Sequence, residues 1–221
     1  MQSGKHRYLD MKVVIVDYGV GNLLSVQRAF EHFGIQALVT SDFESILAAN
    51  RVILPGVGAF GNAMDILNSS GLADILRQVI HKGTPFLGIC LGMQLLFEES
   101  EEFGLHRGLG FIEGRVLCLP DNTLDGKGLK IPHIGWNELY KADSVNWTGT
   151  LLAHTQPGDA FYFVHSFMAV PKEESSVLAY TLYGGNHIPA VVQKDSVVGC
   201  QFHPEKSGEV GLKILKNFIQ I

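Results

Sequence analysis

Apolar residues occur along the chain in short unbroken runs, and most of these runs are followed by residues with helical spacing. Four segments contain an apolar run that does not alternate with polar residues: KVVIVD (12–17), RVILPGVG (51–58), TPFLGI (84–89) and SVVGCQFHPE (196–205), in which the run is VVGC. An unbroken apolar run predicts a strand that is buried on both faces. Such strands alternating with helices are typical of a parallel sheet that is covered on both sides.

The helices are predicted from caps and apolar stripes. The first begins at Asn22 or Ser25, either of which can cap it, and ends at Gly34. Its predicted inner face contains Leu24, Ala29, Phe30 and Phe33. Two further helical stretches end near Lys82, and SGEVGLKILKNFI (207–219) predicts a C-terminal helix with one apolar stripe.

Residues 104–181 have a different pattern, in which short β-rich pieces are joined by polar loops. These pieces, GRVLCL, KIPHIGW and AFYFVHSF, predict an antiparallel extension. We therefore predict an α/β fold with an open, doubly wound, mostly parallel sheet flanked by helices, plus an antiparallel β extension. Residues 11–221 are expected to form a single domain. Residues 1–10 are expected to be an N-terminal extension outside the fold.

Composition excludes several classes of function. The 221 residues carry a formal net charge of −5 without any basic run, so we expect no nucleic-acid partner. No apolar segment is long enough to cross a bilayer and the first ten residues lack an apolar signal region, so we expect no membrane association. The three cysteines match neither a disulfide pattern nor zinc spacing, which indicates a reducing, cytoplasmic setting.

The sequence predicts no cofactor and no metal. DYGVGN has a G-x-G after a strand, but Leu24 occupies the place of the third glycine of a dinucleotide fingerprint. Four scattered histidines show no metal-ligand spacing and are expected to have structural or hydrogen-bonding roles: His133, His154, His165 and His187. Cys118 and Cys200 lie within predicted buried strands, and both are expected to be core residues.

Cys90 lies between two glycines at the end of a predicted strand, in the sequence Gly88-Ile89-Cys90-Leu91-Gly92. In open α/β sheets, ligands bind beyond the carboxyl ends of the strands. The G-x-C-x-G pattern resembles the nucleophile elbow of serine hydrolases, in which small neighbours relieve the crowding of a sharp turn. The N-terminus of the following helix favours the thiolate. We therefore predict that Cys90 is a nucleophile rather than a small buried residue in a tight turn.

A thiol nucleophile needs a base and an acid that orients the base. His203 and Glu205 are separated by one residue at the end of a buried strand, so in extended chain they project to the same side. Pro204 restricts the backbone between them. We predict that Glu205 orients His203 toward Cys90. The alternative for the His-x-Glu pair is a solvated strand end.

An oxyanion formed by attack at Cys90 needs preorganised donors. The N–H of Leu91 is the predicted first donor. The loop LPGVGAFG after the second strand offers the other at Val57 and Gly58, because Gly56 and Gly58 allow close approach of backbone or rotation of a peptide. The alternative for this loop is a plain turn.

With these residues in place, the chain resembles the class I (triad-type) glutamine amidotransferases. The motifs PGVGAFG, GICLGMQLLFE and FHPEKS occur in the order of that family, and the resemblance extends from Met11 to the C-terminus. It implies that Cys90 attacks the side-chain amide of L-glutamine, ammonia leaves, and water hydrolyses the γ-glutamyl thioester to glutamate. His203 would protonate the ammonia and later activate water, with Glu205 orienting it.

The resemblance also implies a substrate site and a partner. VDYGVGNLLSV, IPHIGWNEL and YFVHSF resemble the glutaminase subunits of imidazole glycerol phosphate synthases. Glutamine would be recognised by Gly58, Gln94, Glu102, Ser166 and Phe167, the last at a position where the family commonly has tyrosine. The expected partner is a (β/α)₈-barrel cyclase subunit in a heterodimer, which uses the ammonia to form imidazole glycerol phosphate in histidine biosynthesis. Residues at partner-facing positions are Tyr162, Lys206, Trp136 and Asn137.

Three alternatives remain open from the sequence. The chain could serve another synthase, for example as a specialised copy for surface-sugar biosynthesis. It could be a γ-glutamyl hydrolase or cysteine peptidase with the same elbow, or a non-catalytic scaffold that retains the motifs. A further hypothesis is that the Gly56–Val57–Gly58 loop completes the oxyanion hole only when the partner and its ligand are bound.

Overall fold

A computed structural model describes residues 11–143 and 145–221. The predicted extension at residues 1–10 lies outside the described residues. The first part of the described chain contains, in order, β1 (Val13–Val16), α1 (Leu23–Glu31), β2 (Leu38–Thr40), α2 (Phe43–Leu47), β3 (Arg51–Gly56), α3 (Phe60–Ser69), α4 (Leu72–His81), β4 (Phe86–Cys90) and α5 (Leu91–Gln94).

The second part is mainly β-structure and ends in a long helix. It contains β5 (Phe97–Ser100), β6 (His106–Arg107), β7 (Ile112–Cys118), β8 (His133–Lys141), β9 (Ala160–His165), β10 (Phe167–Pro171), β11 (Val177–Tyr183), β12 (Asn186–Lys194), β13 (Val197–Cys200) and α6 (Gly208–Gln220). Short 3-10 turns occupy Glu174–Ser176 and Pro204–Lys206. No helix in the described ranges is long and apolar enough to span a bilayer.

The main sheet has the strand order β2-β1-β3-β4-β13-β12-β11-β8-β9 in the described part of the chain. Strands β2, β1, β3, β4 and β13 pair in parallel, and β12, β11, β8 and β9 continue the sheet antiparallel. A smaller sheet has the order β10-β7-β5-β6. The predicted α/β class, with helices on a parallel sheet and an antiparallel extension, is confirmed. The antiparallel part is as extensive as the parallel part.

The core lies on both faces of the parallel strands. In β1, Val14 and Val16 pack into one apolar cluster with residues of α3 and α4, whereas Val13 and Ile15 pack into the other with residues of α1 and α6. Successive side chains of a strand point to opposite faces, so both faces must be apolar when helices cover both. This explains the unbroken apolar runs in the sequence.

Three central strands bring chemically active segments to one edge of the sheet. β4 lies between β3 and β13, and the register pairs Cys90 with Gly56 and Ile89 with Cys200. The chain beyond each strand therefore emerges at the same carboxyl edge, where ligands bind in open α/β folds. Ser166 lies between β9 of the main sheet and β10 of the small sheet, so the crossing between the sheets passes the same edge.

Some local predictions were wrong. Ala29 and Phe30 of α1 are buried as predicted and Phe33 packs partly buried against the core, but the predicted Leu24 is exposed and Val26 is buried on that face. Asn22 precedes the helix, but its side chain makes no capping hydrogen bond. Cys118 is exposed at the end of β7 rather than in the core, whereas Cys200 is buried as predicted.

Candidate active site

Cys90 is at the apex of a strained turn between β4 and α5. Its φ is 55° and its ψ is −113°, a conformation that L-residues rarely adopt. Backbone strain of this kind costs about 1–3 kcal/mol and is concentrated at functional sites. The side chain is 6% exposed, and Sγ is 3.7 Å from Gln201 Nε2 and 3.8 Å from the Val164 carbonyl oxygen. The sulfur is therefore held in a mostly buried site at the carboxyl edge of the sheet.

The flanking glycines are required by close backbone contacts. A Cβ on Gly92 would lie 1.8 Å from the Leu54 carbonyl oxygen, and a Cβ on Gly88 would lie 2.6 Å from the Gly92 carbonyl oxygen. Both distances are far below van der Waals contact. The elbow can therefore pack against β3 only because neither position has a side chain.

His203 and Glu205 form a buried pair beside the sulfur. His203 Nδ1 is 2.8 Å from Glu205 Oε1, and the two side chains are 3% and 1% exposed. Among the described residues, His203 Nε2 and Glu205 Oε2 have no hydrogen-bond partner of normal geometry. Burial lowers the pKa of His203, but the nearby Cys90 sulfur and the Glu205 carboxylate outweigh burial and raise the pKa to about 10. A charged imidazole is therefore favoured at neutral pH.

The backbone that holds this pair differs from the extended chain that the sequence predicted. His203 is extended, but Glu205 belongs to the 3-10 turn that begins at Pro204. Proline suits the first position of a helical turn, because its φ is already helical and it has no N–H to satisfy. The Ser207 hydroxyl and the Lys206 N–H both donate to the His203 carbonyl, which fixes the turn.

A cavity of about 330 Å³ opens in front of Cys90. Its lining contains the predicted nucleophile, base, oxyanion donors and substrate-binding residues: Cys90, His203, Leu91, Val57, Gly58, Gln94, Glu102, Ser166 and Phe167. Glu205 lies behind His203 rather than in the lining. The structure thus brings together residues that are more than a hundred positions apart in the chain.

The predicted substrate residues are already engaged in hydrogen bonds. Gln94 Nε2 donates to the Phe167 carbonyl and to Gln201 Oε1, each at 3.0 Å. Glu102 Oε2 accepts a hydrogen bond of 2.6 Å from the Phe60 N–H at the start of α3. A carboxylate is stabilised at a helix N-terminus, so the position of Glu102 is fixed by α3.

The predicted oxyanion loop is open to the cavity. Gly58 has a φ of +94°, which glycine adopts without steric cost, and Val57 is exposed. Gly56 is tightly packed, because a Cβ there would lie 2.6 Å from the Tyr18 hydroxyl and 2.9 Å from the Gly92 nitrogen. The loop is therefore anchored at Gly56 and free of close contacts at the Gly58 Cα.

The four predicted partner-facing residues lie near one another at the edge formed by β8, β9 and the turn after β13. Trp136 and Tyr162 are cross-strand neighbours whose ring centroids are 6.1 Å apart. Lys206 is exposed on the turn that follows His203, and the His203 N–H donates to the Tyr162 carbonyl. Asn137 follows Trp136 in β8 and is half-buried, and because successive side chains of a strand point to opposite faces it lies on the inner face with His133, opposite Trp136.

Two residues beside the nucleophile were not identified from the sequence. Gln201 is fully buried and connects Gln94 with the Cys90 sulfur. Tyr18 is buried next to Gly56, and its hydroxyl has no hydrogen-bond partner among the described residues. Burial and the Cys90 charge raise the pKa of Tyr18 above its usual range. The only signal for Gln201 was a polar residue within an apolar run.

No group of three or more histidine, cysteine or acidic side chains in the described ranges could hold a metal ion. The cavity instead has the parts of a covalent hydrolytic site. These are a thiol on a sharp turn, an imidazole with a raised pKa, a buried carboxylate behind the imidazole, and the backbone N–H groups that follow the thiol.

Comparison with known proteins identifies the class. The pattern of the family described as "Glutamine amidotransferase class-I" matches residues 14–221. The chain belongs to this family, as its motifs predicted.

Individual relatives show which members of the family this chain is similar to. The chain is 50% identical over 210 residues to imidazole glycerol phosphate synthase subunit HisH 1 of Legionella pneumophila (strain Lens), covering 95% of this chain and 99% of the relative. It is 49% identical over 207 residues to the HisH subunit of Geobacillus thermodenitrificans, covering 94% of each chain. Its fold resembles PurLQS from Thermotoga maritima with a TM-score of 0.71 at 20% identity, over 95% of this chain and 98% of that one.

Proposed function

We propose that this chain is the glutaminase subunit of an imidazole glycerol phosphate synthase and hydrolyses L-glutamine to glutamate and ammonia. The observation that carries the proposal is the strained Cys90 elbow sharing one cavity with the buried His203–Glu205 pair. The names of the HisH relatives and their identity over nearly the whole chain support the choice of synthase. In this proposal residues 11–221 act as one catalytic domain.

The first half-reaction forms a thioester. The Cys90 thiolate attacks the amide carbon of glutamine, and the C–N bond breaks as the tetrahedral intermediate collapses. The raised pKa of His203 keeps its imidazole protonated, so it can give a proton to the leaving ammonia. Glu205 stabilises this imidazolium and sets the ring orientation through Nδ1.

The second half-reaction returns the enzyme to its starting state. His203, now neutral, removes a proton from water, and the resulting oxygen attacks the γ-glutamyl thioester. The C–S bond breaks, glutamate leaves, and the thiolate–imidazolium pair is restored. In both half-reactions the N–H groups of Leu91 and of the Val57–Gly58 segment stabilise the oxyanion.

Glutamine binding uses the rest of the cavity lining. Gln94 and Glu102 offer polar groups that the hydrogen bonds to Phe167 and Phe60 hold in place. Backbone around Gly58, Ser166 and Phe167 completes the site. The phenylalanine at 167 causes little loss in this arrangement, because the observed contacts of that residue are made by its carbonyl.

The ammonia passes to a partner subunit, a (β/α)₈-barrel cyclase, in a heterodimer. The surface around Trp136, Asn137, Tyr162 and Lys206 is the proposed contact face. Its exposed apolar side chains support this role: Trp136 is 57% and Ile134 is 56% exposed on the same strand. Exposed apolar groups of this size on an edge are typical of an interaction site.

The test is a glutaminase assay of the purified chain with and without a barrel cyclase and its ribotide ligand. We expect partner-stimulated glutamate release that is abolished in Cys90→Ala and retained in Cys118→Ala, a cysteine outside the cavity. Stimulation by a different synthase would support the alternative of a specialised copy. Peptide hydrolysis without any partner would support a peptidase, and full activity of Cys90→Ala would contradict the mechanism.

A further inference from the structure

Hydrogen-bond donors and an acceptor surround the sulfur of Cys90. Sγ is 3.8 Å from the Val164 carbonyl oxygen and 3.7 Å from Gln201 Nε2. Burial lowers the pKa of His203, but the sulfur and Glu205 raise it to about 10, so its imidazole is a charged donor at pH 7. A thiol can donate to the Val164 carbonyl, whereas a thiolate can only accept and is repelled by that carbonyl. The donors beside the sulfur therefore favour the thiolate.

The hydrogen bonds of Gln94 fix which end of the Gln201 amide faces the sulfur. The Phe167 carbonyl can only accept, so the Gln94 atom that lies 3.0 Å from it must be the nitrogen Nε2. The same nitrogen is 3.0 Å from the Gln201 amide, so the Gln201 atom at that contact must be the acceptor Oε1. The NH₂ group is then the end of the amide that lies 3.7 Å from Sγ. Gln201 thus presents a donor to the sulfur.

The Gln201 side chain is held in this orientation away from solvent. Gln201 is 0% exposed and Gln94 is 5% exposed. The Gln201 N–H donates to the Ala190 carbonyl at 2.8 Å, so β12 fixes the backbone immediately after β13. Rotating the Gln201 amide would bring its NH₂ group against that of Gln94, and a buried mismatch of this kind is costly. The donor is therefore preorganised and needs no reorientation when the sulfur becomes negative.

Gln94 connects this donor with the substrate cavity. Its side chain lines the cavity in front of Cys90, and its Nε2 is the group that holds Gln201 Oε1. Removing that nitrogen frees the Gln201 amide to rotate and to present its oxygen to the sulfur, which disfavours a thiolate. The contacts of both amides lie within this chain, so they are present in the free subunit.

We propose that Gln201 is a further catalytic residue, whose amide holds the Cys90 sulfur as a thiolate in position for attack, and that Gln94 is the positioning residue that sets the amide orientation. This proposal rests on the function proposed above. It assigns Gln94 a role in the free enzyme that precedes any contact with glutamine.

The first test measures alkylation of Cys90 by iodoacetamide as a function of pH, in the free subunit and without glutamine. Gln201→Met keeps the length of the side chain but removes the donor. We expect the pH of half-maximal alkylation at Cys90 to rise by about one unit or more, because a hydrogen bond to a charged acceptor changes an equilibrium about tenfold or more. The exposed Cys118, followed by peptide mass spectrometry in the same samples, should keep its profile.

The surrounding titratable side chains are the same in wild type and variant, so the shift reports the lost donor. The groups of this kind around the sulfur and its cavity are Tyr18, Glu102, His165, Cys200, His203 and Glu205. Gln193→Met is the matched control, because Gln193 lies on β12 beside β13 and outside the cavity lining, and we expect a wild-type profile. A folded Gln201→Met protein with the wild-type profile at Cys90 would overturn the proposal.

A double variant tests whether Gln94 acts through Gln201. Gln94→Met should shift the Cys90 profile in the same direction as Gln201→Met. The double variant should shift it no further than Gln201→Met alone, because the group that Gln94 orients is then missing, whereas independent structural effects would add. In the stimulated glutaminase assay, Gln201→Met should lower kcat about tenfold with little change in KM, since Gln201 contacts the sulfur and lies outside the cavity lining. Additive shifts, or a loss confined to KM, would overturn the proposal.

A measurement on wild-type protein covers the case in which Gln201→Met does not fold. With ¹⁵N-labelled glutamine residues, the Nε2 proton of Gln201 that faces the sulfur should lie downfield of its position in Cys90→Ala, while the Gln193 signals stay the same. Coincident Gln201 signals in the two proteins would overturn the proposal. Neither the alkylation nor these signals require turnover, so they stand apart from the proposed function, which fails if wild-type protein releases no glutamate in the stimulated assay.

Discussion

Replacing Gly92 with alanine tests the elbow at its tightest contact. A Cβ at this position would lie 1.8 Å from the Leu54 carbonyl oxygen and 2.8 Å from the Leu54 carbonyl carbon, where ordinary contact begins at 3.4 Å. Both atoms are backbone of β3 in the middle of the sheet, so no side chain can rotate away. The start of α5 must therefore move, and Cys90 must move with it.

Two opposing effects decide how much Gly92→Ala changes the free energy of unfolding. Glycine to alanine within a helix ordinarily stabilises a protein by up to about 1 kcal/mol. Overpacking of a rigid core contact costs about 1–3 kcal/mol, and the severity of this backbone contact places Gly92→Ala at the upper end or above. Subtracting the helix gain from a cost of about 3 kcal/mol or more leaves a net loss of about 2 kcal/mol or more, and at about 2–4 °C per kcal/mol for a chain of this size we expect Tm to fall by about 4–8 °C or more. Displacement of the nucleophile by about 1 Å lowers kcat about 100-fold.

Thermal unfolding and steady-state glutamine hydrolysis measure the two effects on the same samples. Gly128→Ala is the matched control, because nothing lies within 4 Å of a Cβ at that position. Gly88→Ala should fall between the two, since its Cβ would lie 2.6 Å from backbone. A Gly92→Ala protein with wild-type Tm and kcat would refute the argument that the glycines are required by crowding at the elbow.

Three further predictions follow from the site. Glu205→Gln removes the charge behind His203 and should lower kcat about 10³-fold with little change in KM, measured in the stimulated glutaminase assay; a loss below tenfold would contradict the orienting role. Burial lowers the pKa of His165 to about 3 in the folded chain, whereas in the unfolded chain it is near 6.5. Between these values only the unfolded chain binds a proton at this residue, so the free energy of unfolding falls as the pH is lowered from 6.5 toward 3. Denaturant unfolding measures the free energy of unfolding at each pH. Between pH 3 and 6.5 this free energy should rise with pH up to about 1.4 kcal/mol per pH unit more steeply in wild type than in His165→Gln, and equal slopes would contradict the low pKa of His165. Iodoacetamide should modify the exposed Cys118 and the Cys90 thiolate in the cavity but leave Cys200 unmodified, because burial raises the pKa of the Cys200 thiol; peptide mass spectrometry should show glutaminase activity falling with modification of Cys90 and not with modification of Cys118.

The parallel half of the fold was predictable because its signals are local. Strands covered on both faces must be apolar throughout, and the glycines of the elbow are required by contacts that any such turn creates. β2 and α2 have three and five residues, which is too short for hydrophobic periodicity to identify them. The family motifs supplied the site residues that periodicity alone does not give.

The errors have identifiable physical causes. α1 buries Val26, Ala29 and Phe30, which have helical spacing, and Leu24 lies two residues before Val26, on the opposite side of the helix. Cys118 ends a strand of the small sheet in which buried and exposed positions mix, so an apolar run there does not mean burial on both faces. The sequence shows Gln201 only as a polar residue beside an apolar run, and its contact with the Cys90 sulfur could not be predicted because that contact depends on the pairing of β13 with β4.

The central claim is that Cys90 forms a covalent γ-glutamyl thioester, and acid quenching during stimulated turnover followed by peptide mass spectrometry tests it directly. We expect an adduct of one γ-glutamyl group on the peptide that contains Cys90, which disappears on treatment with hydroxylamine and is absent in Cys90→Ala. Glutamate release at the wild-type rate with no adduct at Cys90, or with the adduct at Cys118 or Cys200, would contradict it.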